Sequence, residues 1–151
     1  MKPSEIVHTL QDLVEVSKDG QYSFEFCASH AEADSLKQFF EKCAGELDAE
    51  AREFQSLVAE YGGKPVQHGT ASGAVHRGWI RVKDTLGGTN DPDLLEECAH
   101  GEQLTLKRLR TAADEEQLPD SIRSTAAAHA DNARRCIEQL QRLRSEMRAA
   151  A

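Results

Sequence analysis

No stretch of this chain is apolar for long enough to cross a membrane. A spanning helix needs roughly 20 largely apolar residues, and charged or polar side chains interrupt every hydrophobic run. The opening residues, MKPSEIVHTLQDLVEV, are broken by Glu5, His8, Gln11 and Asp12 and do not read as a secretory signal, so a cytoplasmic location is expected. A basic surplus is also missing. The net charge is −8, whereas phosphate backbones recruit proteins through lysine and arginine; nucleic acid is therefore not an expected partner, and neither is a membrane. The chain has no glycine-rich phosphate loop, no Gly-x-Ser-x-Gly turn and no zinc-type spacing of cysteine and histidine. Cys27, Cys43, Cys98 and Cys136 lie far apart, with no C-x-x-C pairing. Each falls on or beside an apolar stripe and reads as a reduced core thiol rather than a disulfide, a zinc ligand or a nucleophile.

What is present is helical periodicity. The chain has 151 residues, of which 39% are hydrophobic and 29% charged, a balance that suits one domain of helices with one apolar and one solvated face. The first stripe is Ile6, Leu10, Leu13, Ser17, Gly20, Phe24, Cys27, Ala31, with steps of four and three that keep one helix face inward. Ser4 reads as its N-cap, and Asp19-Gly20 as a kink or a tolerated glycine or, failing that, a break. Asp34 reads as the cap of a second helix carrying Leu36, Phe40, Cys43, Leu47, Glu50, Phe54, Leu57 and Tyr61, which stops at Gly62-Gly63-Lys64-Pro65. A short helix is expected over 72–86, with Val75, Trp79, Val82 and Leu86 on one face. Asp91, read as an N-cap before Pro92, opens a stripe of Leu95, Cys98, Glu102, Thr105, Leu109 and Ala112. After Leu118-Pro119-Asp120 comes the last stripe: Ile122, Ala126, His129, Ala133, Cys136, Leu140, Leu143, Met147. Short turns within each half and one long connection between the second and third main helices predict an all-α, antiparallel four-helix bundle of ferritin-like connectivity, with a short extra helix in the crossover.

Three inward positions carry ionisable groups, Glu50, Glu102 and His129, and Glu53 lies one turn beyond Glu50. A lone buried carboxylate is costly unless it is paired, protonated or bound to metal. A polar core network and a metal site are therefore both open readings. The last helix region, residues 120–151, holds six arginines against four acids. It reads first as a solvated face laced with i,i+4 pairs and second as a docking surface for an acidic partner.

Asp19-Gly20, Leu57 through Gly62-Gly63-Lys64-Pro65, the run Gly69-Thr70-Ala71-Ser72-Gly73-Ala74-Val75-His76-Arg77-Gly78-Trp79, and Gly101-Glu102 follow one another in an order that resembles the bacterial ferritin-like four-helix-bundle proteins of the DUF2383 group. The resemblance spans nearly the whole chain and implies a ferritin-like fold with no established activity. Against the di-iron members of such bundles, which use Glu-x-x-His pairs, this chain offers Glu50 with Glu53 in place of a histidine, Asp19 as a stand-in on the first helix, and His129 preceded by Ala126. The expectation is a non-enzymatic, self-associating bundle with no cofactor, and a stress-related role by analogy alone. Phe39, Phe40 and Phe54 on one helix suggest a homodimer. The alternatives are an iron-handling or oxidase site using Asp19, Glu50, Glu53, Glu102 and His129, and a partner-binding module acting through the arginine-rich last helix. His76, Arg77 and Trp79 read as crossover packing first and as a pocket lining second.

Overall fold

Four helices account for most of the chain: α1 (Pro3–His30), α2 (Asp34–Glu60), α3 (Asp91–Asp114) and α4 (Asp120–Ala150). They are seen in a computed structural model that describes residues 1–71, 73, 74, 76, 78 and 90–150. Side-chain partners fix the directions. Cys27, late in α1, meets Cys98, early in α3, and Gly20 lies beside Glu102, so these two helices run oppositely. Cys43 meets Cys136 and Glu50 meets His129, so α2 and α4 do the same. The hairpins α1–α2 and α3–α4 pack most extensively, and α2 against α4 least.

The connection between the hairpins joins opposite ends of the bundle. Gly63 packs beside Val7 at the start of α1, whereas Asp91 accepts the backbone amides of Glu32 and Ala33 in the α1–α2 turn. Gly62 lets α2 end there, since its φ of 78° is a conformation that side-chain-bearing residues rarely adopt. The following loop is tied down by Gln55, which exchanges two hydrogen bonds with the backbone of Val66, and by Gln11, which donates to the Lys64 carbonyl. The crossover helix expected over 72–86 lies outside the described residues, Trp79 included, apart from an opening turn in which Ala74 N–H donates to the Thr70 carbonyl. No helix among the described residues is long and apolar enough to cross a membrane.

The first stripe is buried throughout, Ala31 included, and α1 passes Asp19-Gly20 without a break. A Cβ at Gly20 would stand 2.8 Å from Leu47 Cδ1, so any larger residue there would push the Leu47 side chain aside. Helix starts differ by a residue or so from the sequence expectation. Pro3 opens α1 ahead of Ser4, and Asp34 is the first residue of α2 rather than its cap. Asn90, not Asp91, caps α3 by accepting from Asp93 N–H, which leaves the Asp91 carboxylate to hold the α1–α2 turn. The stripes also drift, because 3.6 residues per turn does not match a strict seven-residue repeat. Val58 rather than Leu57 closes α2, and in α4 Ala130 and Ile137 are buried while His129 and Cys136 move to the margin.

Two apolar clusters fill the interior. One gathers Leu10, Leu13, Phe54, Val58, Leu109 and Ile122; the other gathers Phe24, Cys27, Phe40, Leu47, Leu95 and Cys98. Between them lies a polar layer that includes Ser17, Glu50 and Glu102. Phe54 is fully buried at its edge. Phe54→Ala is expected to lower stability by about 3–5 kcal/mol through lost contacts and the residual cavity; urea unfolding checks this, and a loss below about 1 kcal/mol would contradict the assigned packing.

Candidate functional site

Glu50 is the centre of the polar layer, only 4% exposed. The α2 period that buries Leu47 and Phe54 turns it inward too. Its Oε1 lies 3.2 Å from His129 Nδ1 of α4. Its Oε2 lies 2.8 Å from Ser17 Oγ of α1. Glu53, one turn on and exposed, reaches back to His129 Nε2 at 2.8 Å, and the imidazole rests against the Phe54 ring with centroids 5.3 Å apart. As the imidazolium, His129 donates to both carboxylates; as the neutral ring it has one N–H for the two.

Ser17 sharpens the proton accounting. Its single hydroxyl hydrogen has two acceptors at 2.8 Å, Glu50 and the Leu13 carbonyl. A proton on Glu50 Oε2 would be donated to Ser17 Oγ, with the hydroxyl hydrogen then turned to the Leu13 carbonyl. Burial raises the Glu50 pKa, with His129 and the Ser17 hydrogen bond opposing that rise and Glu53 adding to it.

Glu102 reaches the same layer from α3 and is 3% exposed. Its Oε1 has no hydrogen-bond partner among the described residues and lies against the bare face of Gly20. Burial first, then the charges of Glu50 and Glu46, push its pKa up to about 8. A cavity of about 30 Å³ lies among Glu50, Glu102, His129, Asn132 and Cys136, room for one water molecule or one small ion.

Of the sequence candidates, Glu50, Glu53 and His129 are in contact and Glu102 faces them across this cavity. Asp19 stands apart. Its carboxylate accepts from Thr70 N–H at 3.0 Å and from Thr70 Oγ1 at 2.5 Å, while Thr70 Oγ1 accepts from Gly73 N–H, so it anchors the crossover to α1. No group of three or more His, Cys, Asp or Glu among the described residues converges as metal ligands would. Ser17 was on the inward stripe as a hydroxyl in an apolar row, and that was the signal for its role. Glu46, exposed on α2, gave none. Beside the crossover, His76 Nε2 pairs with Glu97 at 3.0 Å, at a cavity of about 210 Å³ that Asp19, His100 and Leu104 also line. Arg77 and Trp79 lie outside the described residues. On α4, Arg134 pairs with Glu138 and Arg144 with Glu96.

Four antiparallel helices with a single end-to-end crossover make this a ferritin-like bundle. Among solved structures it is similar to a protein described as a ferritin-like, diiron-carboxylate protein from Bacillus anthracis str. Ames, at 17% identity, covering 95% of this chain and 99% of that one, with a TM-score of 0.73. At that identity the likeness is one of fold. The chain belongs to the family described as Domain of unknown function (DUF2383), whose model matches residues 5–115. That span ends at α3, so α4 and His129 lie beyond it. None of the curated proteins matches.

The raised Glu102 pKa has a signed consequence. Between the ordinary carboxyl value of 4.5 and about 8, the folded protein holds a proton that the unfolded chain releases, so stability falls as pH rises through this window. Glu102→Gln is expected to leave stability near pH 5 little changed and to raise it near pH 8.5 by a few kcal/mol, a tenfold change in proton affinity being worth about 1.4 kcal/mol. Urea titrations giving the same pH slope for both proteins would show that Glu102 is not the group held protonated.

Proposed function

We propose that this protein is a non-enzymatic, self-associating helical bundle whose polar core layer is a hydrogen-bonded, proton-sharing network that sets helix register. One observation carries the reading: the strongest candidate metal ligands in the layer are already committed to one another. Both Glu50 oxygens are engaged by Ser17 and His129, and both His129 nitrogens by Glu50 and Glu53. A di-iron centre would need Glu-x-x-His pairs converging from two helices and a glutamate from each of the others. At this level α1 brings Ser17 and Gly20, and α4 has Ala126 and Asn132 on either side of His129. The residues present do not fit a di-iron centre.

A second reading, a single cation in the core, has one observation in its favour: Glu102 Oε1, without a hydrogen-bond partner among the described residues, beside a cavity of ion size. Metal analysis of untagged protein and thermal melts with and without chelator separate the two. The expected result is no bound metal, no shift of the melting temperature on chelation, and an intact fold for Glu102→Gln. A melting temperature that drops with chelator, recovers with ferrous iron and does neither in Glu102→Gln would overturn the network reading.

Self-association has its own support. Phe40 and Phe54 are covered within the bundle, and the exposed Leu104 is an apolar side chain available to a second copy. A homodimer is expected at micromolar concentration, and light scattering that gives the monomer mass across that range would refute it.

A further inference from the structure

Each helix contributes one cysteine, and the four thiols form two pairs, both of which bridge the α1–α2 hairpin to the α3–α4 hairpin. Cys27 Sγ lies 3.3 Å from Cys98 Sγ, between α1 and α3. Cys43 Sγ lies 3.9 Å from Cys136 Sγ, between α2 and α4. All four are free thiols, and their surroundings differ. Cys27 and Cys98 are 3% and 2% exposed and sealed within the second apolar cluster. Cys136 is only partly buried. With Cys43 it lines a cleft of about 360 Å³ walled by Phe39 and Asn132 and bearing the cations Lys42 and Arg135 and the carboxylate Glu46.

We propose that Cys43 and Cys136 are a redox-active dithiol that small anionic disulfides oxidise to an intramolecular bond, latching α2 to α4. The cleft gives the oxidant a path to one sulfur, and the resolving sulfur is already in contact behind it, the arrangement thiol–disulfide exchange requires. In the first step the Cys136 sulfur attacks one sulfur of the small disulfide; that S–S bond breaks and one small thiol leaves. In the second, the Cys43 sulfur attacks the Cys136 sulfur of the mixed disulfide and expels the other half. The two cysteine protons end on the two released thiols, so the protein loses two electrons and the small disulfide gains them.

Its hydrogen bond with Cys43 and its burial raise the Cys136 pKa, which slows its attack on a disulfide, because the thiolate is the nucleophile. The bond would close a loop of 93 residues, and a cross-link restrains the unfolded chain more the longer the loop it closes.

The test treats reduced full-length protein with excess oxidised glutathione under native conditions, followed by acid quench, alkylation and peptide mapping. The expected product is a monomer lighter by two hydrogens, bridged at Cys43–Cys136, with Cys27 and Cys98 alkylated only after unfolding. Its melting temperature should rise by roughly 5 °C or more, and a reductant should reverse the change. Cys136→Ser and Cys43→Ala, each retaining the helical spectrum, should form no internal bridge and show no oxidant-dependent rise. An unchanged mass, a mixed disulfide that persists at Cys136, a bridge between chains, or a bond mapped to Cys27–Cys98 would each overturn the proposal.

Discussion

A buried carboxylate must find partners, and Glu50 finds them on two other helices at once. Ser17 holds it to α1 and His129 holds it to α4. Sliding α2 by one turn, about 5.4 Å, would strand both partners and leave a polar group in an apolar interior. Apolar layers of leucine, alanine and phenylalanine tolerate such slips far better, since one methyl group packs much like another. The two clusters on either side of Glu50 therefore take their level from it. Glu53 extends the same constraint outward by fixing the far side of the His129 ring. On the proposed network reading, such a buried ionic group sets register rather than adding large net stability.

Glu102 shows what the arrangement leaves over. It shares the level of Glu50, so the two carboxyls compete for ionisation, and the one whose Oε1 lacks a hydrogen-bond partner among the described residues is held protonated. A neutral carboxyl against Gly20 costs far less than a bare charge there. It also explains how three acids and one imidazole coexist in this layer of an acidic protein: protons, moved to where burial is deepest, do the neutralising.

How much of this could be read from the residues differs by level. The four helices and their crossover follow from stripes such as Leu95, Cys98, Glu102, Thr105, Leu109, Ala112, where period alone decides which face is inward. The inward aim of Glu50 and Glu102 follows from the same period. Meetings between helices do not, because periodicity gives a face and not a level along the axis. Asp19 shows this: it sits beside an inward glycine yet turns to Thr70 of the crossover. Asp91 shows it too, with a carboxylate that serves a turn 58 and 59 residues away. The drift at His129 and Cys136 has a further cause. Over a helix as long as α4, a fraction of a residue per heptad accumulates into a visible rotation, and two nominally core residues come to the seam.

That rotation joins the polar layer to the thiols. Had α4 kept a strict seven-residue repeat, His129 and Cys136, seven residues apart, would both face the interior. His129 would then lose its reach to the exposed Glu53, and Cys136 its place at the cleft. The drift puts both on the side of α4 that faces α2, where His129 meets Glu50 and Glu53 and Cys136 meets Cys43. The α2–α4 seam is thus the least packed in the bundle and the richest in chemistry. Polar and thiol groups meet across it, whereas the α1–α3 seam closes over Cys27, Cys98 and Leu94 with little access for solvent. A ferritin-like fold supplies the inward positions, but fold alone does not set function. Here the side chains at two levels of one seam carry the proposed proton sharing and thiol exchange.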